Sequence, residues 1–158
     1  LKAVHGQVCG PPPRIDLDAE SRLIGTLIEA TQSRIISSAH DISEGGLAAA
    51  IAESCFTPKG PIGVKIKSLY GKIREDILLF GESQSRAIVS LDKKDIHKLE
   101  NIASNHGIPI ELIGIVGGDR LFMEGLIDVP ILKAYESWAF GFEETLKSDI
   151  LATKAQRL

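Results

Sequence analysis

The sequence predicts an α/β (α+β) fold in which a mixed sheet of about four strands is covered by helices. Three observations carry that prediction. Segments with apolar residues at helical spacing alternate with short β-branched runs, so helices and strands interleave along the chain. Glycine and proline clusters mark the ends of nearly every segment. The 158 residues, 44% hydrophobic and 25% charged, suit one globular domain with a real core.

The elements follow in order. Residues 1–16 read as an extended lead-in, because Pro11-Pro12-Pro13 supplies three consecutive residues without N–H donors and with fixed φ. The domain is expected over 17–146, with a tail over 147–158. Asp16 or Asp18 caps a first helix at about 18–36, whose buried stripe is Ile24, Leu27, Ile28, Thr31 and Ile35. Residues 36–40 run extended into a polar loop. A second, alanine-rich helix over about 46–55 buries Leu47, Ile51 and Cys55, and Thr57-Pro58-Lys59-Gly60-Pro61 stops it. Ile62, Val64 and Ile66 alternate as a half-buried strand. A short helix over 72–80 presents Ile73, Ile77 and Phe80 inward, and after a polar loop Ala87–Leu91 reads as a buried strand. Asp92 and Asp95 have capping-box spacing and open a helix to about 105, with Ile96, Leu99 and Ala103 inward and Gly107 in the left-handed position that ends it. Pro109–Val116 is expected as a strand, and Gly117-Gly118-Asp119 as a hairpin turn into a strand over 120–124. Pro130 starts the last helix, with Tyr135, Trp138, Ala139 and Phe142 as its buried stripe.

Composition excludes several classes. A net charge of −3 without a long basic run gives no footprint for nucleic acid, and 5% aromatics supply few stacking platforms. No apolar run reaches bilayer length and no signal peptide is visible, so no membrane association is expected. Cys9 and Cys55 form neither a framework nor a CxxC pair; two reduced thiols suit the cytoplasm. The chain begins Leu1-Lys2 and its one methionine is Met123, so it is expected to be a piece of a longer polypeptide.

Chemistry concentrates in three loops. His40, Asp41, Ser43 and Glu44 precede Gly45-Gly46 and a helix start, where unpaired N–H groups and the helix dipole suit an anion. His40 and Asp41 are an acid–base candidate pair, and Asp41 is a candidate Mg²⁺ ligand beside a substrate phosphate. The structural alternative is that Ser43 caps the helix and the glycines make a turn. The second loop, Gly81-Glu82-Ser83-Gln84-Ser85-Arg86, offers a guanidinium for a bidentate phosphate contact with Ser83 and Ser85 beside it. Its alternative is an internal Glu82–Arg86 pair. The third, Gly117-Gly118-Asp119-Arg120, reads as structural. The histidines are scattered, and neither a P-loop nor a Gly-x-Ser-x-Gly elbow occurs.

Together, His40-Asp-Ile-Ser-Glu-Gly-Gly-Leu47, Leu79-Phe-Gly-Glu-Ser-Gln-Ser-Arg86 and Ile113-Gly-Ile-Val-Gly-Gly-Asp-Arg-Leu121 resemble, in this order, the synthetase (large) subunit of phosphoribosylformylglycinamidine synthase. Within it the likeness is to the C-terminal domain of the second half, an AIR synthase-related C-terminal domain, and Val4-His5-Gly6 with the proline run resembles the approach to it. The superfamily includes aminoimidazole ribonucleotide synthase, selenophosphate synthetase and thiamine-phosphate kinase. The resemblance implies an AIR synthase C-terminal-domain-like fold paired with N-terminal ATP-binding domains of the same subunit, a glutaminase subunit or domain, and a ribotide substrate. It implies the ATP-dependent, C–N bond-forming conversion of formylglycinamide ribonucleotide and glutamine-derived ammonia to formylglycinamidine ribonucleotide, ADP and phosphate, with ATP and Mg²⁺ as cofactors. His40, Asp41, Ser43, Gly45, Gly46, Gly81, Glu82, Ser83, Ser85 and Arg86 are then expected on the phosphate or substrate side of a cleft. The 158-residue chain alone is expected to be inactive and to hold no nucleotide tightly. Two alternatives remain: a scaffold or auxiliary nucleotide-site domain of the same enzyme, and the corresponding domain of another superfamily member.

Overall fold

The computed structural model describes residues 15–67 and 73–155. The proline-run lead-in (but for Ile15 and Asp16), Cys9, the start of the helix expected at 72 and the end of the tail lie outside the described residues.

Helix α1 (Leu17–Gln32) is capped by Asp16, whose Oδ1 accepts the Ala19 N–H at 2.9 Å. It ends earlier than the periodicity suggests, because Arg34 adopts a φ of 55° and turns the chain into strand β1 (Ile36–Asp41). Helix α2 (Gly46–Ser54) follows, then the two-residue strands β2 (Phe56–Thr57) and β3 (Gly60–Pro61), which pair as a small hairpin. Strand β4 (Val64–Ile66), helix α3 (Glu75–Phe80) and strand β5 (Ala87–Leu91) come next. After a 3-10 turn at Lys93–Asp95, helix α4 (Ile96–Asn105) leads to strands β6 (Gly114–Val116), β7 (Arg120–Met123) and β8 (Ile127–Pro130), and helix α5 (Ile131–Ala155) closes the described chain.

The strands form a mixed four-stranded sheet in the order β6-β4-β7-β8, with β4 parallel to β7 and the other pairs antiparallel. A separate antiparallel pair joins β1 to β5. Each sheet has its own apolar layer. Leu47, Ala48, Ala50 and Ile51 of α2, with Cys55, close on Val64, Ile66, Leu121 and Met123, joined by Leu79 and Ile131. Ala30, Ile35, Leu99 and Ile102 hold α1 and α4 against Ile36, Val89 and Leu91 of the β1–β5 pair. Of the alternation expected at Ile62, Val64 and Ile66, the last two are buried on β4, whereas Ile62 precedes the strand and is 38% exposed. The buried face of α2 is present, with Ile51 1% exposed. Gly107, with a φ of 66°, ends α4 in the left-handed region.

Several expectations are corrected. The buried face of α1 is Thr26 and Ala30, while Ile24 and Ile28 are 48% and 52% exposed. Small residues let α1 close on α4, which turns the isoleucines outward. On α3 the buried residue is Leu79, with Leu78 half-buried beside it, while Ile77 and Phe80, and Ile73 before the helix, are exposed. Strand β5 is half-buried. Asp92 and Asp95 form no capping box: the 3-10 turn places Asp95 at the cap of α4, buried and bound by Lys98 Nζ at 2.7 Å. Of 109–116, only Gly114–Val116 pairs as strand.

Gly117-Gly118-Asp119 does not join a hairpin, since β6 and β7 lie on opposite sides of β4. The loop crosses the start of β4, where Gly63 donates to Gly118 O at 2.9 Å and Gly117 donates to Gly63 O at 2.7 Å. Gly63 is required there, because a Cβ would stand 2.7 Å from the Arg120 backbone. The stripe expected on α5 is also largely outside, with Trp138 56% and Phe142 79% exposed. The helix rests on the hairpin through Phe56, whose ring centroid lies 5.5 Å from Tyr135 and 5.2 Å from Trp138. It runs unbroken through residues 146–147.

Candidate functional site

Strand pairing brings the first two loops together. His40 and Asp41 end β1, Ala87 begins β5, and Asp41 is in register with Ala87. The Ile42 N–H extends this ladder to Arg86 O at 3.1 Å. The polar loop leaving β1 and the polar loop entering β5 are therefore adjacent, although about 40 residues separate them in sequence. Between them and α1 lies a cleft of about 540 Å³, lined by His40, Asp41, Ser43 and Glu44 from one loop and Glu82, Gln84, Ser85 and Arg86 from the other.

The loops are also tied to each other. The Gly45 N–H, at the cap of α2 with a φ of 77°, donates to Glu82 Oε1 at 3.0 Å. The position at which the sequence suggested a bound anion thus holds the chain's own carboxylate, which satisfies an orphan donor and faces the positive end of the helix dipole. Gly46 donates to Ser43 O at 3.0 Å, so the capping role expected of Ser43 falls to its carbonyl. Gly46 has a second reason to be glycine: a Cβ on it would lie 2.7 Å from the Leu79 and Phe80 backbone.

Arg86 makes no pair with Glu82. Its Nε donates to Ser83 O at 3.1 Å and its Nη2 to Gly81 O at 2.5 Å, which folds the loop around the guanidinium. Among the described residues, Nη1 has no protein partner. Burial lowers the pKa of Arg86 from its ordinary value. Ser85 sits at a φ of 58°, and its hydroxyl donates to Glu20 Oε2 of α1 at 2.6 Å. Gly81, Ser83, Gly45 and Gly46 build the loops without lining the cleft.

His40 is held at both ring nitrogens. Nδ1 lies 2.6 Å from the Asp41 carbonyl oxygen, and Nε2 lies 3.2 Å from Glu53 Oε2 on α2. Asp41 reaches only 3.6 Å to His40 Nδ1 and is otherwise open to the cleft, so the two form a weak pair. The third motif stays outside: Arg120 is paired with Asp128 and takes no part in the cleft.

The chain matches AIR synthase related protein, C-terminal domain, over residues 2–124. It belongs to that family. Among curated relatives, phosphoribosylformylglycinamidine synthase subunit PurL of Anaeromyxobacter sp. (strain K) is 38% identical over 157 residues, covering 94% of this chain and 21% of the relative. The corresponding subunit of Caldanaerobacter subterraneus subsp. tengcongensis is 40% identical over 142 residues, covering 87% of this chain and 19% of the relative. The chain therefore spans about a fifth of the length of the curated relatives it matches. In fold, it is similar to Thermotoga maritima PurL complexed with FGAR, with a TM-score of 0.65 at 22% identity over 76% of this chain and 21% of that one.

One wall of the cleft in this AIR synthase-related domain went unread in the sequence. Ile15, Leu23, Ile24 and Leu27, with Glu20, line it from α1 and its approach, and Glu20 meets the Ser85 hydroxyl of the second loop. Their apolar spacing reads equally as a core stripe, and only the packing of Thr26 and Ala30 shows which way the helix faces. Four carboxylates, Glu20, Asp41, Glu44 and Glu82, accompany Arg86 in this lining. A phosphate entering it requires a counter-cation, and one carboxylate plus a substrate phosphate is a normal Mg²⁺ environment. Asp41, open to the cleft, fits that requirement. No group of three or more His, Cys, Asp or Glu side chains converges as an all-protein metal cage among the described residues. Among those residues no helix is long and apolar enough to cross a membrane.

Proposed function

We propose that this domain forms one wall of a ribotide or nucleotide cleft in the large subunit of a phosphoribosylformylglycinamidine synthase, as the C-terminal domain of the subunit's second half. The observation that carries the reading is 38% identity to the Anaeromyxobacter subunit over 94% of this chain. The geometry adds that the two motif loops and α1 enclose one cleft.

In this reading the complete enzyme, in the cytoplasm, phosphorylates the amide oxygen of formylglycinamide ribonucleotide from ATP. Ammonia from a glutaminase subunit or domain then adds to that carbon, and phosphate leaves as the amidine forms. The N-terminal domains of the same subunit bind most of the ATP. Asp41 would help to hold Mg²⁺, which would supply charge neutralisation at the phosphoryl oxygens. Arg86 Nη1 and the Ser43 hydroxyl donate to a phosphate. Gly45, Gly46, Gly81, Glu82, Ser83 and Ser85 set the loops that present them, and His40 holds the end of β1.

Replacing Arg86 or Asp41 by Ala in the full-length enzyme tests this. Loss of one charged hydrogen bond at the transition state lowers kcat/KM by about 10- to 100-fold. A scaffold domain is the second reading, favoured by the use of Arg86 Nε and Nη2 and of Glu82 in tying the loops together. Unchanged turnover with a lowered Tm in both variants assigns that role instead.

A further inference from the structure

Glu53 joins two parts of the fold that no chain connection couples. It lies on α2 behind the cleft. One carboxylate oxygen, Oε2, stands 3.2 Å from His40 Nε2, and the other, Oε1, accepts the Trp138 Nε1–H at 3.1 Å. His40 lines the cleft, whereas Trp138 belongs to α5, which is seated on the hairpin through Phe56 and Tyr135.

We propose that Glu53 is a positioning residue that makes the orientation of the His40 ring depend on the seating of α5. A carboxylate engaged at both oxygens cannot rotate about its last torsion without losing one partner. With Trp138 in place, Oε2 is aimed at Nε2, while the Asp41 carbonyl holds Nδ1 from the other side. When α5 lifts, Oε1 loses its donor, the carboxylate turns to water, and the His40 ring loses its Nε2 partner. The cleft wall at the end of β1 then loosens although no residue of α5 lines it. Any partner that engages the exposed indole face of Trp138 acts on His40 by the same route.

The test reads the histidine rather than turnover, so its outcome is separable from that of the ribotide reading. Long-range ¹H–¹⁵N correlation spectra of the 158-residue chain resolve the His40 ring nitrogens, assigned by loss of the signal in His40→Asn. Trp138→Phe keeps an aromatic ring against Phe56 and removes only the N–H donor. It is expected to shift both His40 ring nitrogens. Glu53→Gln keeps the acceptor for Trp138 and turns an amide donor toward Nε2, so it selects the Nδ1–H tautomer. Tyr135→Phe, which alters the same aromatic cluster without touching Glu53, leaves His40 unmoved. His40 resonances unchanged in Trp138→Phe overturn the coupling, whether or not Glu53→Gln moves them. Should Trp138→Phe unfold the chain, an Nε2 resonance unchanged in Glu53→Gln overturns it instead.

Discussion

Replacing Gly46 by alanine separates a packing glycine from a ligand-approach glycine. Gly46 opens α2 at a φ of 67°, and a Cβ there would stand 2.7 Å from Leu79 O and from the Phe80 C and Cα atoms. All three are backbone, so no side chain can swing aside. Left-handed backbone in a non-glycine residue costs about 1–2 kcal/mol. Overpacking against unyielding neighbours adds about 1–3 kcal/mol. The reduced entropy of the unfolded alanine chain returns about 0.4–1 kcal/mol. The balance is about 1–4.6 kcal/mol of lost stability, centred on about 3 kcal/mol. At this chain length that is a Tm lower by about 5–15 °C. Urea unfolding followed by circular dichroism measures it, with the m-value checking that the unfolding transition keeps its size. A Gly46→Ala protein within about 1 kcal/mol of the parent would falsify the packing argument. Such a protein, if it also lost ligand affinity in the complete enzyme, would show that the glycine serves the approach of a ligand.

The remaining predictions are smaller. Glu82→Ala removes both an acceptor for Gly45 N–H and a negative charge at the start of α2, and costs about 1–2 kcal/mol in this exposed setting. Glu82→Gln, which keeps an acceptor, costs less than half as much; equal losses in thermal melts would show that the charge carries the whole effect and the retained acceptor contributes nothing. Burial pushes the Cys55 thiol from 9.0 up to about 11. The unfolded chain therefore releases this proton first, so the contribution is complete below pH 9.0 and is lost on rising through about 11. The alkaline loss attributable to Cys55 is about 3 kcal/mol, and a Cys55→Ala protein with the same alkaline slope as the parent contradicts it. Calorimetry of the 158-residue chain with ATP and Mg²⁺ is expected to show no micromolar binding, since one wall of a cleft offers few contacts; a micromolar Kd overturns that expectation.

Periodicity was informative wherever the apolar residues of an element had one neighbour to cover. Helix α2 is short and alanine-rich, sits on the four-stranded sheet, and buries Leu47, Ile51 and Cys55 as its spacing of four requires. It misled where an apolar stripe lined a cleft or lay beside open surface. On α1 the isoleucine stripe and the small-residue face of Thr26 and Ala30 are both continuous, and only contact with α4 chooses between them. On α5 the aromatic residues keep helical spacing, yet only Tyr135 and Trp138 reach the rings of the hairpin.

The three motifs divide in the same way. Their order along the chain was sufficient to recognise the AIR synthase-related family, because order and spacing are properties of sequence. The sequence alone also determined the end of α4 at Gly107, since a helix end in the left-handed region favours a residue without a Cβ. What only tertiary structure decided was which polar groups meet. The pairing of β1 with β5 placed Glu82 on the Gly45 N–H, and the seating of α5 on the hairpin set Glu53 between His40 and Trp138. Hydrogen bonds are short-ranged and directional, so their partners follow from chain topology, which no local spacing records.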